Sequence, residues 1–494
     1  MLARLREFLL HNKNTKQTIA KNTIWLSAGQ IVSRLIRAII IIYAARILGS
    51  SNYGVFTYAL SLAAFFTIFV DIGINQITTR EASKNHDLKQ HYLATTLVIK
   101  LILIILTALL IIFIAPSFAS IEKAKPLLLL VAILISFESL RDYGYAVVRS
   151  IEKMQIEAGV NILINSGIVV LGLTALLFKS NIELLILSFV IGTGIGTTTL
   201  FWLIRHQLKS TFVNFRISLI KPLARSSWPF AIMAAMAAVT TNADIIILGW
   251  FRTPTEIGWY AAAQKPVQLL YLLPNLIAVS IFPTLSRLAH NDNESLRKIL
   301  EKAIHFVFLI CIPLMFGGMV LAPEIINFLY GADYVAAVIP FAILLITIVF
   351  NYPIVLISYA IFAYDKQKIM AIYSSLAAVM TLILNLLMIP NFGIIGAAVV
   401  SLSIQALRNT LVWLSLKRIS NFTFWNCLPK ILLASSIMLL IVWLLKLTGF
   451  NLFINISFSV LIYMGMLYLL QESMFLEVSN FIKKLLKTNS PYTF

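Results

Sequence analysis

Apolar runs with almost no charge recur along the whole chain, at Leu101–Ala115, Pro126–Phe137, Val160–Phe178, Ile431–Leu445 and Phe453–Leu470 among others. A helix needs about 20 mostly apolar residues to cross the hydrocarbon core of a bilayer. On that criterion the sequence predicts spans near 23–47, 54–79, 92–115, 126–149, 156–178, 182–204, 227–250, 256–286, 299–322, 336–361, 368–389, 393–416, 428–447 and 451–471. The expected fold class is therefore an all-α polytopic membrane protein of about fourteen transmembrane helices. Only 12% of the 494 residues are charged, against about 25% in soluble domains. The mean hydropathy of +0.91 agrees.

The net charge of +19 has a matching explanation. Alternate loops differ sharply in Lys and Arg content. One side carries Arg80, Lys84 and Lys89, then Arg149 and Lys153, then Arg205 to Arg225, Arg287 to Lys302, Lys366, Lys368 and Lys417 to Lys430. The other holds only Arg46, Lys123, Lys125, Lys179, Arg252 and Lys446. The positive-inside rule then puts both termini in the cytoplasm. Nucleic acid is not an expected partner, because the basic residues sit in short loops instead of forming one patch. Cys311 and Cys427 are too few for a disulfide framework. Leu2, Leu5 and Leu9 opposite Arg4 and Arg6 read as a helix lying on the cytoplasmic membrane surface, and the tail from Leu476 has the same character.

The longest polar interruption is expected at 207–226, a cytoplasmic linker. It divides the chain into an N-terminal lobe at 1–206 with six spans and a C-terminal lobe at 227–418 with six more. Residues 419–494 add two spans and an amphipathic tail. An internal echo supports two related lobes. ILGSSNYG from Ile47 and ILGWFRTPTEIG from Ile247 both place Ile-Leu-Gly at the outer end of a span, before a short polar turn and a second glycine.

Ionisable groups within spans are costly and normally face a partner or a water-filled cavity. The first lobe has Arg34, Arg37, Asp71, Lys100, Glu138, Arg141 and Asp142 in its spans. The second has only Asp244, Lys265 and Arg408. Arg34 and Arg37 share a helix face, either paired with carboxylates such as Asp71 or Glu138 or contacting an anionic substrate. Arginine suits the latter because its planar fork stays charged and donates two parallel hydrogen bonds. Arg34, Arg37, Lys100 and Arg141 are the candidate substrate-cavity cations. Asp71, Glu138, Asp142, Asp244 and Lys265 are candidates for charge pairs or ion coupling. Glu138, Arg141 and Asp142 are spaced to pair along one helix. Lys100, about 12 Å into its span, is expected to snorkel. Asp244 and Lys265 read most simply as an ion pair, with proton or cation coupling as the alternative.

Prolines collect in the spans of the second lobe: Pro229, Pro266, Pro274, Pro283, Pro313, Pro340 and Pro353. They predict kinks. The run IGTGIGTTT from Ile191 lacks the lysine of a phosphate loop and reads as close helix packing. No HExxH, GxSxG, Walker motif or Cys/His cluster occurs. The chain is therefore not expected to be an enzyme or to hold a metal or cofactor, and any active transport must use an ion gradient, of protons or sodium, or another protein.

The chain resembles the polysaccharide flippases, the Wzx-type translocases of the multidrug/oligosaccharidyl-lipid/polysaccharide exporter superfamily. The stretches that carry the resemblance run in order at 44–62, 71–84, 149–166, 242–288, 326–345 and 390–407. The resemblance implies fourteen helices in two lobes and alternating access. It also implies transfer of undecaprenyl-diphosphate-linked oligosaccharide from the cytoplasmic to the outer leaflet of a bacterial inner membrane. The implied partners are that substrate, membrane lipids, and the polymerase and chain-length proteins of the same pathway. Sugar hydroxyls are expected to meet Asn75, Gln76, Asn161 and Asn165. Competing readings are an ion-coupled multidrug antiporter of the same superfamily and a membrane glycosyltransferase or polymerase. The surplus of cations in the first lobe argues against the antiporter, and the short loops argue against the transferase.

Overall fold

The computed structural model describes residues 15–84, 87–208, 214–289, 291–423, 425–447 and 450–488. The expected N-terminal surface helix at Leu2, Leu5 and Leu9 lies outside them. The described residues contain helices and turns and no strand. The helices are α1 (Thr15–Val70), α2 (Ile74–Lys84), α3 (Lys89–Leu109), α4 (Ala115–Phe118), α5 (Leu127–Ser150), α6 (Met154–Phe178), α7 (Ile182–Leu203), α8 (Ile220–Phe251) and α9 (Pro254–Leu270). They continue with α10 (Leu272–Leu288), α11 (Asn293–Val320), α12 (Ala322–Tyr330), α13 (Val338–Ala363), α14 (Gln367–Lys417), α15 (Leu428–Leu447), α16 (Leu452–Leu469) and α17 (Ser473–Thr488).

Ten helices among the described residues are long and apolar enough to cross a membrane, or eleven if the bent pair Lys21–Val70 and Ile74–Lys84 is one span. Two rods are too long for one crossing. At about 1.5 Å per residue α1 would run about 84 Å, far beyond a core about 30 Å thick. Each breaks at a single glycine, Gly49 in α1 (φ 73°) and Gly393 in α14 (φ 57°), backbone positions that only glycine takes at little cost. α5 is long enough but carries Glu138, Arg141, Asp142 and Arg149, too many charges for composition alone to mark it as a span.

The helices pack as two compact units. The first comprises 1–262 with 374–397, and the second 263–373 with 398–494. In the first, α1 packs most extensively on α6, and α6 on α7. The glycines of α7 explain the second contact. A methyl on Gly196 would fall 2.0 Å from the Ile164 side chain, and one on Gly192 would fall 2.7 Å from that of Ile168. IGTGIGTTT is thus a packing seam, as its small residues imply.

In the second unit α11 and α13 pack closely, flanked by α10, α15 and α16. Here prolines stand within helices, and each removes a donor from the carbonyl four residues earlier. Two of these carbonyls are recovered by tyrosines from neighbouring helices. Pro274 frees Leu270 O, which accepts from the Tyr352 hydroxyl at 2.9 Å. Pro313 frees Leu309 O, which accepts from the Tyr463 hydroxyl at 2.9 Å. Both freed carbonyls are therefore satisfied. After Leu470 the chain turns into α17, whose first turn is capped by buried Glu472. That carboxylate accepts from Phe475 N at 2.7 Å and lies 2.7 Å from His305 Nε2.

Candidate functional site

The charged residues of the first unit fall into two groups. One joins α1 to α5. Gln30, Arg34 and Arg37 recur at helical spacing along α1, which brings them to one stripe. Arg37 lies over the ring of Phe189 at 5.1 Å, with Nη2 3.9 Å from Glu138 Oε1. Arg141 reaches the same Glu138 oxygen at 3.9 Å and donates to Asp142 Oδ1 from Nε and Nη2 at 3.1 and 2.8 Å. The pairing expected along α5 is present. Arg34 is exposed, and no carboxylate pairs with it among the described residues.

These side chains are not sealed in a core. Arg37 is 35% exposed and Glu138 29%. Charged groups midway along apolar helices normally face a partner or a water-filled cavity. Two contacts of 3.9 Å are ion pairs but not hydrogen bonds. The guanidinium edges of Arg37 and Arg141 toward Glu138 therefore keep unused donors.

The second group is structural. Lys100 is fully buried, which corrects the expected snorkelling. Its ammonium donates to Val70 O at 2.9 Å and lies 3.7 Å from Asp71 Oδ1. Val70 ends α1, so the lysine satisfies a terminal carbonyl and meets the negative end of the helix. Asp71 in turn accepts from Asn75 N and Asn75 Nδ2, capping α2. Lys100, Asp71 and Asn75 thus hold the bend between α1 and α2. Of the other amide candidates, Gln76 is exposed, and Asn161 accepts from the Tyr145 hydroxyl at 2.9 Å. Asn165 donates to Asn161 O, while its own buried Oδ1 has no partner.

Asp244 in α8 is buried and accepts from the Tyr260 hydroxyl at 2.6 Å. Lys265 is half-buried near the end of α9. Two arginines not singled out in the sequence make strong contacts. Arg149 forms a two-pronged pair with buried Glu157 at 2.8 and 2.6 Å. Arg252 donates to the carbonyls of Ile389 and Pro390 just before the Gly393 break.

One end of the first unit is closed by backbone packing. A methyl on Gly54 would fall 1.8 Å from Pro254 O, and one on Gly258 would fall 1.9 Å from Ser50 O. The contact is reciprocal: in each segment a carbonyl sits on the glycine of the other, four residues after that segment's own carbonyl. These are the two echoing stretches of the sequence. Tyr58 and Trp250 both donate to Phe118 O beside them, at 3.3 and 3.2 Å.

A helical chain with mid-span charges and a glycine seal narrows the relatives to be expected. Residues 19–289, more than half the chain, match the family described as polysaccharide biosynthesis protein. The chain belongs to that family. Within it, the chain is 23% identical over 411 residues to a Shigella flexneri protein named "Putative O-antigen transporter", covering 80% of this chain and 97% of that protein. It is 25% identical over 386 residues to the Haloferax volcanii protein named "Probable low-salt glycan biosynthesis flippase Agl15", covering 77% and 80%. The lipid II flippase MurJ in its inward closed conformation has the same fold, with a TM-score of 0.74 at 21% identity over 90% of this chain and 98% of that one. The chain is thus a polytopic membrane protein related to flippases and transporters, not to catalysts.

Proposed function

We propose that this protein is a lipid-linked oligosaccharide flippase. It moves undecaprenyl-diphosphate-linked sugar units from the cytoplasmic to the outer leaflet of a bacterial inner membrane by alternating access, for cell-surface polysaccharide synthesis. The observation that carries this reading is the cluster of Arg34, Arg37, Glu138 and Arg141 at mid-span, of which Arg34, Arg37 and Glu138 are at least partly exposed. Its donors face no full complement of hydrogen-bonding carboxylates, and a diphosphate supplies the missing acceptors. The names of the relatives point the same way.

On this reading the crossings number fourteen. Each glycine-broken rod crosses twice, and α5 crosses despite its charges. Six crossings form each of two lobes joined at 207–226, two more follow, and the basic loops hold both termini in the cytoplasm. The lobes are repeats, and Gly54 and Gly258 mark equivalent positions at the outer end.

The test is transfer of a fluorescent polyprenyl-diphosphate oligosaccharide across proteoliposomes containing the full chain. Arg34→Ala is the informative variant, because Arg34 is exposed and its loss strands no carboxylate, whereas removing Arg37 leaves Glu138 short of a partner. Arg34→Ala is expected to slow transfer about tenfold or more, the worth of a charge-assisted hydrogen bond. Wild-type transfer of a cationic dye against an ion gradient, with no transfer of lipid-linked sugar, would establish the antiporter reading instead.

A further inference from the structure

The second unit contains a deep cation of a different kind. In the last part of α14, exposed Val399, Ser403, Leu407, Thr410 and Leu414 recur at helical spacing and mark the outward stripe. Ser401, Gln405, Arg408 and Ser415 form a second stripe, which at about 100° per residue lies nearly opposite. Arg408 is about 13 Å from the end of α14 at Lys417, too far to snorkel or to be held by the helix terminus. Among the described residues its side chain makes one hydrogen bond, from Nε to Asn409 Oδ1 at 3.2 Å. Among the described residues no carboxylate pairs with it. Arg37, Arg141 and Lys100 in the first unit each have one within 4 Å.

Polar groups converge around Arg408. Gln405 donates to the Tyr271 hydroxyl at 3.3 Å, and that hydroxyl shares a hydrogen with Thr347 Oγ1. Tyr271 lies at the joint between α9 and α10, and its partner Gln405 shares a helix face with Arg408 three residues on. Asn409 is 4% exposed, yet its Nδ2 has no partner. One turn beyond Thr347 on α13, buried Asn351 Oδ1 also has none. A guanidinium at this depth is costly without a counter-charge, and each unsatisfied amide atom adds a further cost.

We propose that Arg408, with Gln405, Asn409 and Tyr271, is an oxyanion-binding site for a hydroxyl-bearing ligand, in which the arginine takes a phosphate or carboxylate and the amides and phenol take neighbouring hydroxyls. The site stands on the geometry of the second unit. The flippase reading enters only in naming the ligand as part of a lipid-linked glycan, either the diphosphate of the carrier or the carboxylate of an acidic sugar.

The experiment measures ligand-induced thermal stabilisation of the full chain in detergent with two probes, farnesyl diphosphate and a digalacturonate. Stabilisation by the first that is lost in Arg408→Met assigns the site to the carrier, and such stabilisation by the second assigns it to an acidic sugar. Arg408→Met, which keeps length and loses charge, is expected to weaken binding of the active probe about tenfold or more while leaving the ligand-free Tm unchanged or higher. Gln405→Ala should weaken the same probe without touching the charge. Lys298→Ala, at an exposed ion pair on α11, should leave this binding intact. The assignment is overturned if neither probe stabilises wild type, if Arg408→Met binds like wild type, or if Arg408→Met lowers the ligand-free Tm, the mark of a merely structural arginine. Because no translocation is measured, failure of the flipping assay and failure of this site are separate results.

Discussion

Gly54→Ala and Gly258→Ala test the reciprocal seal most directly. The added methyl meets only backbone: Pro254 O at 1.8 Å and Gly258 N at 2.9 Å in the first variant, Ser50 O at 1.9 Å and its carbonyl carbon at 2.8 Å in the second. No flexible side chain stands in the way, so no rotamer change relieves the clash. The two segments must part by about 1.6 Å before the methyl reaches the 3.4 Å of ordinary contact. Overpacking of this kind costs about 1–3 kcal/mol, which corresponds to roughly a five- to 150-fold rise in local opening.

Hydrogen-exchange mass spectrometry of the segments around 47–58 and 249–262, in detergent, reads that factor as faster amide exchange. Both variants relieve their clash by the same separation, so the double variant should cost little more than either single one. Gly159→Ala and Gly465→Ala are the controls. Nothing lies within 4 Å of a methyl at either position, and alanine is the better helix former by about 1 kcal/mol. Equal exchange in Gly54→Ala and Gly465→Ala would refute the seal, as would fully additive single variants. On the alternating-access reading, the seal variants also favour the state open at this end.

Tyr463→Phe and Tyr352→Phe each leave a proline-freed carbonyl without its donor. Each should cost about 1–3 kcal/mol, read as a lower Tm of the detergent-solubilised protein. Tyr468→Phe, at an exposed ring, should cost nothing measurable. Burial pushes the Cys427 thiol up to about 11. At pH 8 about one Cys427 in a thousand is then thiolate, against about a quarter of free cysteines. Maleimide labelling should be slow at pH 8 and rise about tenfold per pH unit up to about pH 10, with fully buried Cys311 unlabelled throughout.

Much of the architecture is legible in the sequence because bilayer thickness imposes one length scale on every apolar run. What is not legible is nonlocal. The pairing of Arg141 with Glu138 and Asp142 follows from helical spacing, and the structure contains it. The fate of Lys100 does not, because its partners Val70 O and Asp71 lie about thirty residues earlier and reach it only through the bend at the end of α1. Arg252 looked like an ordinary loop cation, and its acceptors at Ile389 and Pro390 come from a helix more than 130 residues away. The glycine breaks were obscure for another reason. Gly49 and Gly393 interrupt helices that otherwise continue on both sides, so each break is one residue wide, where sequence reading expects a loop.

Geometry also separates the charges that hold the fold from those free to meet a ligand. Arg149 and Glu157 make two hydrogen bonds at 2.8 and 2.6 Å, and displacing either partner would strand a buried carboxylate. Glu138 stands 3.9 Å from both Arg37 and Arg141, near enough to offset their charge and too far to satisfy their donors. On the flippase reading, an incoming phosphate need not break the contacts to Glu138 as hydrogen bonds, and on leaving it returns the arginines to a carboxylate already in place. A fully unpaired pair of arginines would hold a diphosphate too firmly to release it, and a fully paired one would not admit it. On the flippase reading, the intermediate spacing around Glu138 lets the cluster both admit and release a diphosphate.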